Sequence, residues 1–276
     1  MKTAPPQTTT QKPILTIKAI KDRKGGSKLG CLTAYTTPLA KILSPHCDIL
    51  LVGDSLGTVV YGLKTTQGVT LDMMINHGKA VRRGAPETFI VIDMPYGTYD
   101  TPDQAIKTAR QLMQETGCQA VKLEGGVSMA TTIQHLSDHD IPVMAHVGLL
   151  PQSVDENGTY RITGKKEEEA ATLMQDARAV QDAGAFAVVL EGMIEPVAHA
   201  ITDTLNIPTI GIGASPACDG QILVTDDMLG LNGDAVPKFV KHYARLDHII
   251  SEAVSHYIQE VQNNKFPSNK HIYKPK

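Results

Sequence analysis

Short apolar runs recur along the chain, and each of them ends beside a glycine or an ionisable residue. In CDILLVGDSLG at 47–57, for example, four apolar residues precede Gly53 and Asp54. Near-continuous apolar runs of this length are typical of parallel strands that are covered on both faces. The pattern predicts strands at 31–34, 49–53, 89–93, 120–124, 142–146, 185–191 and 208–213, and a weaker eighth strand at 221–224.

The intervals between these runs have the apolar spacing of helices. Thr101 and Pro102 suit the cap and the first residue of a helix, and Gly117 and Gly184 stand where helices should end. The repeated order of strand and helix, with eight units in about 250 residues, favours a closed (β/α)8 barrel of the α/β class over an open doubly wound sheet. Helices are predicted at 71–84, 102–116, 129–138, 167–183 and 195–205.

Three other segments carry signals of their own. Residues 238–262 have helical spacing, and we expect this helix to close the barrel or to pack on a neighbouring subunit. The polar segment DENGTYRITGKKEEE at 155–169 could be a lid over an active site or a plain surface loop. Gly125 and Gly126 indicate a turn or a close backbone approach, and the glycine-rich segment at 211–220 indicates a tight strand end rather than a phosphate site.

Composition and charge restrict the class of protein. The chain has 276 residues, of which 42% are hydrophobic, and a net charge of -3 with the two signs mixed. Binding to nucleic acid or to an anionic membrane needs clustered Lys and Arg, so neither partner is expected. The four cysteines lack zinc-site spacing, and no stretch approaches the roughly 18 apolar residues of a membrane span. We therefore expect a cytoplasmic protein with one barrel domain at 13–265, a disordered N-terminal tail at 1–12 and a C-terminal tail at 266–276.

Polar and charged residues stand at the carboxyl ends of the predicted strands. In a parallel barrel these ends meet on one face, where the active sites of such barrels are built. Each residue alone has a structural explanation, since Asp54 could cap a helix, Lys122 could face solvent and His146 could be a hydrogen-bonded core residue. Their joint occurrence on five predicted strands favours an active site. The candidates are Asp54, Ser55, Asp93, Lys122, Glu124, His146 and Glu191.

The residue types narrow the choice of metal. Asp54, Asp93 and Glu124 supply carboxylate oxygens without a cysteine, which is a donor set suited to Mg²⁺. Zinc is not favoured, because the helical pair His135 and His139 lies in a polar stretch that we expect to face solvent.

A bound cation together with the neighbouring residues could hold and activate a small keto acid. The cation would polarise the ketone oxygen, while Lys122 and the region of Ser55 would engage the carboxylate. Removal of a proton beside the ketone would then give an enolate, which the cation stabilises. Glu191 is the candidate base. A glutamate is normally ionised at neutral pH, so it needs the right position more than a shifted pKa.

Nine ordered motifs between residues 30 and 232 resemble the ketopantoate hydroxymethyltransferase family, and the likeness covers nearly the whole chain outside the N-terminal tail. The motifs are TAY, VGDSLG, VTLDMMINH followed by AVRRGAP, IDMPYGTY, VKLEGG, HVGLLPQS, LEG, IPTIGIGA and DGQILVTDDMLG.

The resemblance implies a (β/α)8 barrel of the phosphoenolpyruvate/pyruvate type and an enzyme of pantothenate (vitamin B5) biosynthesis that forms homodecamers. The implied reaction transfers a hydroxymethyl group from 5,10-methylenetetrahydrofolate to 3-methyl-2-oxobutanoate with Mg²⁺, giving 2-dehydropantoate and tetrahydrofolate. By motif, Asp54 and Asp93 would bind the metal with Glu124 in its coordination sphere, and Glu191 would accept the proton. The residues expected to bind the keto acid are Asp54, Ser55, Asp93 and Lys122, with His146 lining the pocket.

Two other functions stay open beside this one. A lyase or aldolase of the related pyruvate barrels would use the same Mg²⁺-enolate site without folate, and a non-catalytic protein could bind a keto acid or folate. The chain also departs from the family pattern at positions that bear on the folate side and on loop geometry rather than on enolisation. These positions are Thr36, Leu150, Asn157, Thr159, Ser215 and Asp226.

Overall fold

The computed structural model describes residues 15–154, 161–233 and 236–275. Eight parallel strands close into a barrel, in which each strand pairs with the next along the chain and the last pairs with the first. The predicted (β/α)8 barrel is confirmed, including the weak eighth strand, which pairs with both of its neighbours. The strands are β1 Leu29–Thr33, β2 Ile49–Val52, β3 Phe89–Asp93, β4 Ala120–Glu124, β5 Val143–Gly148, β6 Ala187–Glu191, β7 Thr209–Ile212 and β8 Gly220–Leu223.

In the described part of the chain, one helix precedes β1, others lie between successive strands up to β7, and two follow β8. They are α1 Ile17–Lys21, α2 Thr37–Leu43, α3 Leu56–Val59, α4 Leu71–Gly84, α5 Pro102–Thr116, α6 Ala130–Asp138, α7 Glu167–Asp182, α8 Glu195–Thr204, α9 Thr225–Met228 and α10 Leu246–Gln262. Short 3-10 turns occupy Thr66–Gly68, Val127–Met129 and Pro151–Ser153.

The long helices between strands agree with the sequence prediction, because their apolar spacing and their end signals coincide. In α5, the side chain of Thr101 accepts a hydrogen bond from the backbone N–H of Gln104 at 3.3 Å, and Gly117 takes a left-handed φ of 70°. The helices α1, α2, α3 and α9 are not predicted, because elements of 4 to 7 residues are too short to show a helical period. The C-terminal helix begins at Leu246 and not at 238.

The buried strand residues form two clusters because successive side chains of a strand point to opposite faces. In β3, Ile90 and Ile92 pack with the helices, whereas Phe89 and Val91 pack with residues of other strands inside the barrel. Both faces of the sheet are therefore apolar, and this explains why the strands read as unbroken apolar runs.

The chain divides into two compact units, one that extends to Val224 and one that comprises Thr225–Lys276. The barrel belongs to the first unit. In the second unit, no residue of α10 is buried. The single domain expected at 13–265 and the C-terminal tail at 266–276 remain predictions, and the tail expected at 1–12 lies outside the described residues. Across the described ranges, every helix is too short or too polar to cross a membrane.

Gly126 lies against α7, just after β4. A Cβ atom at this position would come within 2.0 Å of Cγ and 2.2 Å of Cβ of Asp176. The carboxylate of Asp176 accepts a hydrogen bond from the backbone N–H of Val127 at 2.8 Å, which fixes that side chain beside the glycine. The close approach predicted at Gly125 and Gly126 is confirmed, and Gly125 itself has a φ of 128°.

We expect Gly126→Ala to lower the free energy of unfolding by about 1–3 kcal/mol, because the added methyl group has no space beside Asp176. Urea unfolding measures the effect. Gly26→Ala is the matched control, since a Cβ there would lie 3.5 Å from its nearest neighbour, which is an ordinary contact. Equal midpoints for the two variants would show that α7 moves away at little cost.

Candidate active site

The candidate side chains that lie within the strands, near their carboxyl ends, face the interior of the barrel. Each of them follows, at every second position, strand residues that already point inward. In β4, Ala120 packs in the interior cluster, and Lys122 and Glu124 follow at every second position. Residues two apart on a strand share a face. The solvated alternative for Lys122 is therefore wrong, and this side chain is only 5% exposed. The same spacing brings Asp93 in from β3, His146 from β5 and Glu191 from β6.

A cavity of about 100 Å³ at this end of the barrel has two kinds of wall. The polar wall contains every candidate from the sequence, namely Asp54, Ser55, Asp93, Lys122, Glu124, His146 and Glu191. The apolar wall is formed by Leu51, Pro151, Val189, Ile212, Ile222, Leu223 and Val224. A small molecule with a keto-acid group and a branched alkyl group would match both walls.

Asp54, Asp93 and Lys122 form a buried charged group at the ends of β2, β3 and β4. Nζ of Lys122 lies 2.9 Å from Oδ1 of Asp93, and the backbone N–H of Asp54 donates to Oδ2 of Asp93 at 3.0 Å. Burial, followed by the charges of Asp93 and Glu124, raises the pKa of Asp54 to about 8. Burial opposes the charge of Lys122, but Asp93, Glu124 and Asp54 outweigh it and raise the pKa of this ammonium group. Lys122 therefore stays charged at neutral pH.

His146 bridges two of the acids. Its Nδ1 lies 3.4 Å from Oε1 of Glu124, and its Nε2 lies 3.2 Å from Oε2 of Glu191. Burial and the charge of Lys122 lower the pKa of His146, but the hydrogen bonds to Glu124 and Glu191 outweigh them and raise it to about 9. Burial raises the pKa of Glu124, and the hydrogen bond and charge of His146 more than reverse this, so the pKa is lowered. The bridge thus pairs an imidazolium with the carboxylate of Glu124.

Ser55 follows Asp54 at the end of β2 and is held by a tyrosine. Its hydroxyl lies 2.7 Å from the hydroxyl of Tyr35, a buried residue that follows β1. Gly53 gives the space for this turn, because a Cβ there would lie 2.9 Å from Oγ of Ser55 and 3.6 Å from Oδ2 of Asp93.

Gln152 is a site residue that the sequence does not single out. It lies in the 3-10 turn after β5 and is 2% exposed. Its side-chain amide donates to Oδ2 of Asp54 at 2.7 Å, and its backbone N–H donates to Oε2 of Glu124 at 3.0 Å. Tyr99 forms a hydrogen bond to the amide oxygen of Gln152. These two residues and Tyr35 occur within the family motifs, in HVGLLPQS, IDMPYGTY and TAY, and that is the signal that could have found them.

The donor atoms fit a hard divalent cation such as Mg²⁺. Within the described ranges, no three His, Cys, Asp or Glu side chains are grouped so that they could hold a metal ion by themselves. A magnesium site does not need such a group, because Mg²⁺ keeps several waters and takes one or two carboxylates together with substrate oxygens. Oε1 of Glu124 is buried, and its contact with Nδ1 of His146 is long, at 3.4 Å, so this oxygen can accept a further ligand. Burial, and after it the charges of Asp93 and Glu124, raise the pKa of Asp54, and a nearby cation would oppose this by favouring the ionised carboxylate.

The weaker sequence signals have structural explanations. His135 on α6 and His139, which follows its last residue, are exposed as expected, with stacked rings whose centroids lie 6.0 Å apart. The segment at 211–220 ends β7 and begins β8, which confirms a strand end. In the polar segment at 155–169, residues 155–160 lie outside the described residues, so a lid there stays a prediction.

The departures from the family pattern include one residue that makes specific contacts. Ser215 is buried, and its hydroxyl donates to Oε1 of Glu195 at 2.8 Å and accepts from the backbone N–H of Ala217 at 3.0 Å. Thr36 is exposed and caps α2 without a side-chain hydrogen bond. Burial raises the pKa of Asp226 in α9. Leu150 precedes the 3-10 turn that holds Gln152, and Asn157 and Thr159 lie outside the described residues.

Comparisons with known proteins agree with the motifs. The model of the family described as ketopantoate hydroxymethyltransferase matches residues 14–269. A protein of Sinorhizobium medicae (strain WSM419), named 3-methyl-2-oxobutanoate hydroxymethyltransferase, is 55% identical over 268 residues, which cover 97% of this chain and 98% of the relative. A protein of Brucella canis (strain ATCC 23365 / NCTC 10854 / RM-666) with the same name is 52% identical over 260 residues, or 94% of each chain.

Solved structures of more distant proteins share the fold. The crystal structure of 2,3-dimethylmalate lyase, a PEP mutase/isocitrate lyase superfamily member, has a TM-score of 0.56 at 19% identity and covers 94% of this chain and 97% of its own. Phosphonopyruvate hydrolase, in a complex with oxalate and Mg²⁺, has a TM-score of 0.60 at 10% identity and covers 92% of both chains. At such low identity this likeness concerns the barrel alone, whereas the matches over nearly the full sequence show that the chain is an enzyme of the ketopantoate hydroxymethyltransferase family.

Proposed function

We propose that the enzyme transfers a hydroxymethyl group from 5,10-methylenetetrahydrofolate to 3-methyl-2-oxobutanoate by enolisation of the keto acid, giving 2-dehydropantoate and tetrahydrofolate. The name of the close relatives supports the keto acid and the transferred group. The observation that carries the mechanism is the meeting of six ionisable side chains and an apolar wall around one cavity.

Lys122 and Ser55 bind and orient the keto acid. Because Lys122 is an ammonium group buried next to Asp93, it can pair with the substrate carboxylate without leaving the polar wall. The hydroxyl of Ser55, held by Tyr35, is a second donor for the same carboxylate. The branched alkyl group then lies against the apolar wall, which includes Val189, Ile212 and Ile222. Val189 of this wall and Glu191 both lie on β6, so this orientation brings the branched carbon near Glu191.

Asp54 and Asp93 would hold Mg²⁺, with Glu124 beside them as a further oxygen donor. When bound, this cation supplies positive charge that polarises the ketone and stabilises an enolate. The protein contributes carboxylates that are already buried and line one cavity, so little reorganisation accompanies the reaction.

Glu191 takes the proton from the branched carbon of the keto acid. The electron pair of the broken C–H bond becomes part of the enolate, and the carboxylate of Glu191 becomes a neutral carboxylic acid. His146, 3.2 Å away, holds this carboxylate at the end of β6 and binds Glu124 through its other ring nitrogen. His146 thereby fixes the position of the base relative to the buried acids.

The enolate carbon then forms a bond to the methylene group carried by folate. The methylene carbon is bonded to N5 and N10 of folate, so two C–N bonds break. One breaks as the C–C bond forms, and its nitrogen takes the proton that Glu191 removed. The other is replaced by the hydroxyl of a water molecule, whose remaining hydrogen goes to the second nitrogen as tetrahydrofolate leaves. We further propose that this reaction serves pantothenate biosynthesis in the cytoplasm and that the enzyme works as a homodecamer. Exposed apolar side chains of α10, such as Ile250 and Val254, support self-association.

Removal of divalent cations with EDTA should abolish formation of 2-dehydropantoate, and added Mg²⁺ should restore it. The expected loss is at least about 100-fold, because the enolate would then lack its main source of charge stabilisation. The assay combines purified protein, the keto acid and methylenetetrahydrofolate, with product measured by mass spectrometry. Full activity in EDTA would contradict a cation-dependent mechanism.

The same assay in D₂O separates the alternatives. Exchange of deuterium into the keto acid without any hydroxymethyl product would favour a lyase or aldolase, since enolisation alone would then occur. Binding of the keto acid without exchange or product would leave a binding protein.

A further inference from the structure

Gln152 is a neutral residue at the centre of the buried acids, and all of its hydrogen-bonding groups are used. The side-chain N–H₂ group donates to Oδ2 of Asp54 at 2.7 Å and to the backbone carbonyl of Met94 at 3.0 Å. The backbone N–H donates to Oε2 of Glu124 at 3.0 Å, and the backbone carbonyl accepts from Nε2 of Gln67 at 2.9 Å. One residue therefore binds two of the three carboxylates assigned to the cation.

The orientation of the amide is determined by its neighbours. If the amide were rotated by 180°, its oxygen would face the backbone carbonyl of Met94, which can only accept a hydrogen bond. In the observed orientation the amide oxygen instead accepts the hydroxyl hydrogen of Tyr99, a residue that is only 8% exposed. Tyr99 thus fixes the direction in which Gln152 donates.

The donors of Gln152 restrain one oxygen of each carboxylate. Oδ2 of Asp54 and Oε2 of Glu124 accept hydrogen bonds from its amide and its backbone, whereas Oε1 of Glu124 is not bound by Gln152 and makes a long contact of 3.4 Å with Nδ1 of His146. Because the donors are neutral, they stabilise the carboxylates without adding a positive charge that would repel a cation.

We propose that Gln152, oriented by Tyr99, is a positioning residue that holds Asp54 and Glu124 in the arrangement that receives the divalent cation. It acts through these carboxylates and does not line the cavity itself. The inference rests on the cation site of the proposed function.

Mn²⁺ binding to the substrate-free protein tests this inference without any measurement of turnover. Gln152→Met keeps the volume and the backbone bond to Glu124 but removes the side-chain donors. We expect its Mn²⁺ dissociation constant, measured by the electron paramagnetic resonance of free Mn²⁺, to rise about 10–100-fold, as for other groups that orient metal ligands. Tyr99→Phe keeps the ring in place and should weaken binding less, by roughly 3–10-fold.

Gln119→Met is the matched control. Gln119 is also a structural glutamine, whose Oε1 accepts from Nη2 of Arg82 at 2.7 Å and from the backbone N–H of Ile90 at 2.8 Å, but it stands at the opposite end of β4. This variant should lose thermal stability and bind Mn²⁺ as the wild type does. The comparison separates positioning of the acids from a general loss of stability.

Two results would overturn the inference, and they differ from each other. If wild type binds Mn²⁺ and both Gln152→Met and Tyr99→Phe bind it equally well, Gln152 has no positioning role and the proposed function stands. If wild type itself binds no Mn²⁺, the cation site of the proposed function fails, and this inference fails with it. Should Gln152→Met not fold, Tyr99→Phe alone decides by the same criterion.

Discussion

Glu191→Gln should bind the keto acid normally and exchange its hydrogen with solvent about 10²–10⁴-fold more slowly than wild type. The amide cannot accept the proton, but it keeps the shape of the side chain and an oxygen that can accept from Nε2 of His146, now 3.2 Å from the carboxylate. Nuclear magnetic resonance of the keto acid in D₂O with Mg²⁺ measures the exchange, and calorimetry measures binding.

Glu168→Gln is the control for this experiment, because it removes the charge of a glutamate that is exposed on α7. It should exchange at the wild-type rate. Exchange at the wild-type rate by Glu191→Gln would show that Glu191 is not the base. Another acid of the polar wall would then have to accept the proton. Loss of keto-acid binding together with exchange would instead assign Glu191 to substrate binding.

The sequence predicts the charged part of the site because the active sites of parallel barrels lie at the carboxyl ends of the strands. In β4, Ala120, Lys122 and Glu124 stand at every second position and therefore face the same side of the sheet. Charged residues at the end of such an inward-facing series indicate a polar cluster at the carboxyl ends of the strands. The sequence alone leaves open whether that face is inward. In the folded protein β8 pairs with β1, so the sheet closes into a barrel with an interior. Ala120 packs in that interior, and Lys122 and Glu124 therefore face the interior as well.

The neutral part of the site could not be predicted in this way. Gln152 stands 98 residues along the chain from Asp54 and 53 from Tyr99, and it lies in a turn where no period applies. Hydrogen bonds between such distant segments depend on the folded geometry and leave no local pattern. The short helix α3 escapes prediction for a related reason, since Leu56–Val59 is a single turn.

Asp54→Asn should stabilise the cation-free protein while it abolishes activity. In wild type, the folded state holds a proton on Asp54 up to a pKa of about 8, whereas the unfolded chain releases it near 3.8. Because the unfolded state binds fewer protons between these values, wild-type stability falls as pH rises from about 4 to about 8 and changes no further above that range. Asparagine does not titrate, so the stability of Asp54→Asn should not fall in this way. Its free energy of unfolding relative to wild type should therefore rise across the same pH interval, by the order of a few kcal/mol.

Thermal unfolding in EDTA at pH 5, 6.5 and 8.5 measures the difference, with Asp138→Asn, at an exposed position on α6, as the control. Mg²⁺ should raise the melting temperature of wild type more than that of Asp54→Asn, because the cation replaces the proton that the buried acids otherwise require. If the difference in melting temperature between wild type and Asp54→Asn does not vary with pH, the pKa of Asp54 is not raised in the folded protein. If the difference grows with pH but Mg²⁺ stabilises both proteins equally, Asp54 is a strained acid that the cation does not use, and Asp93 and Glu124 would have to hold the cation without it.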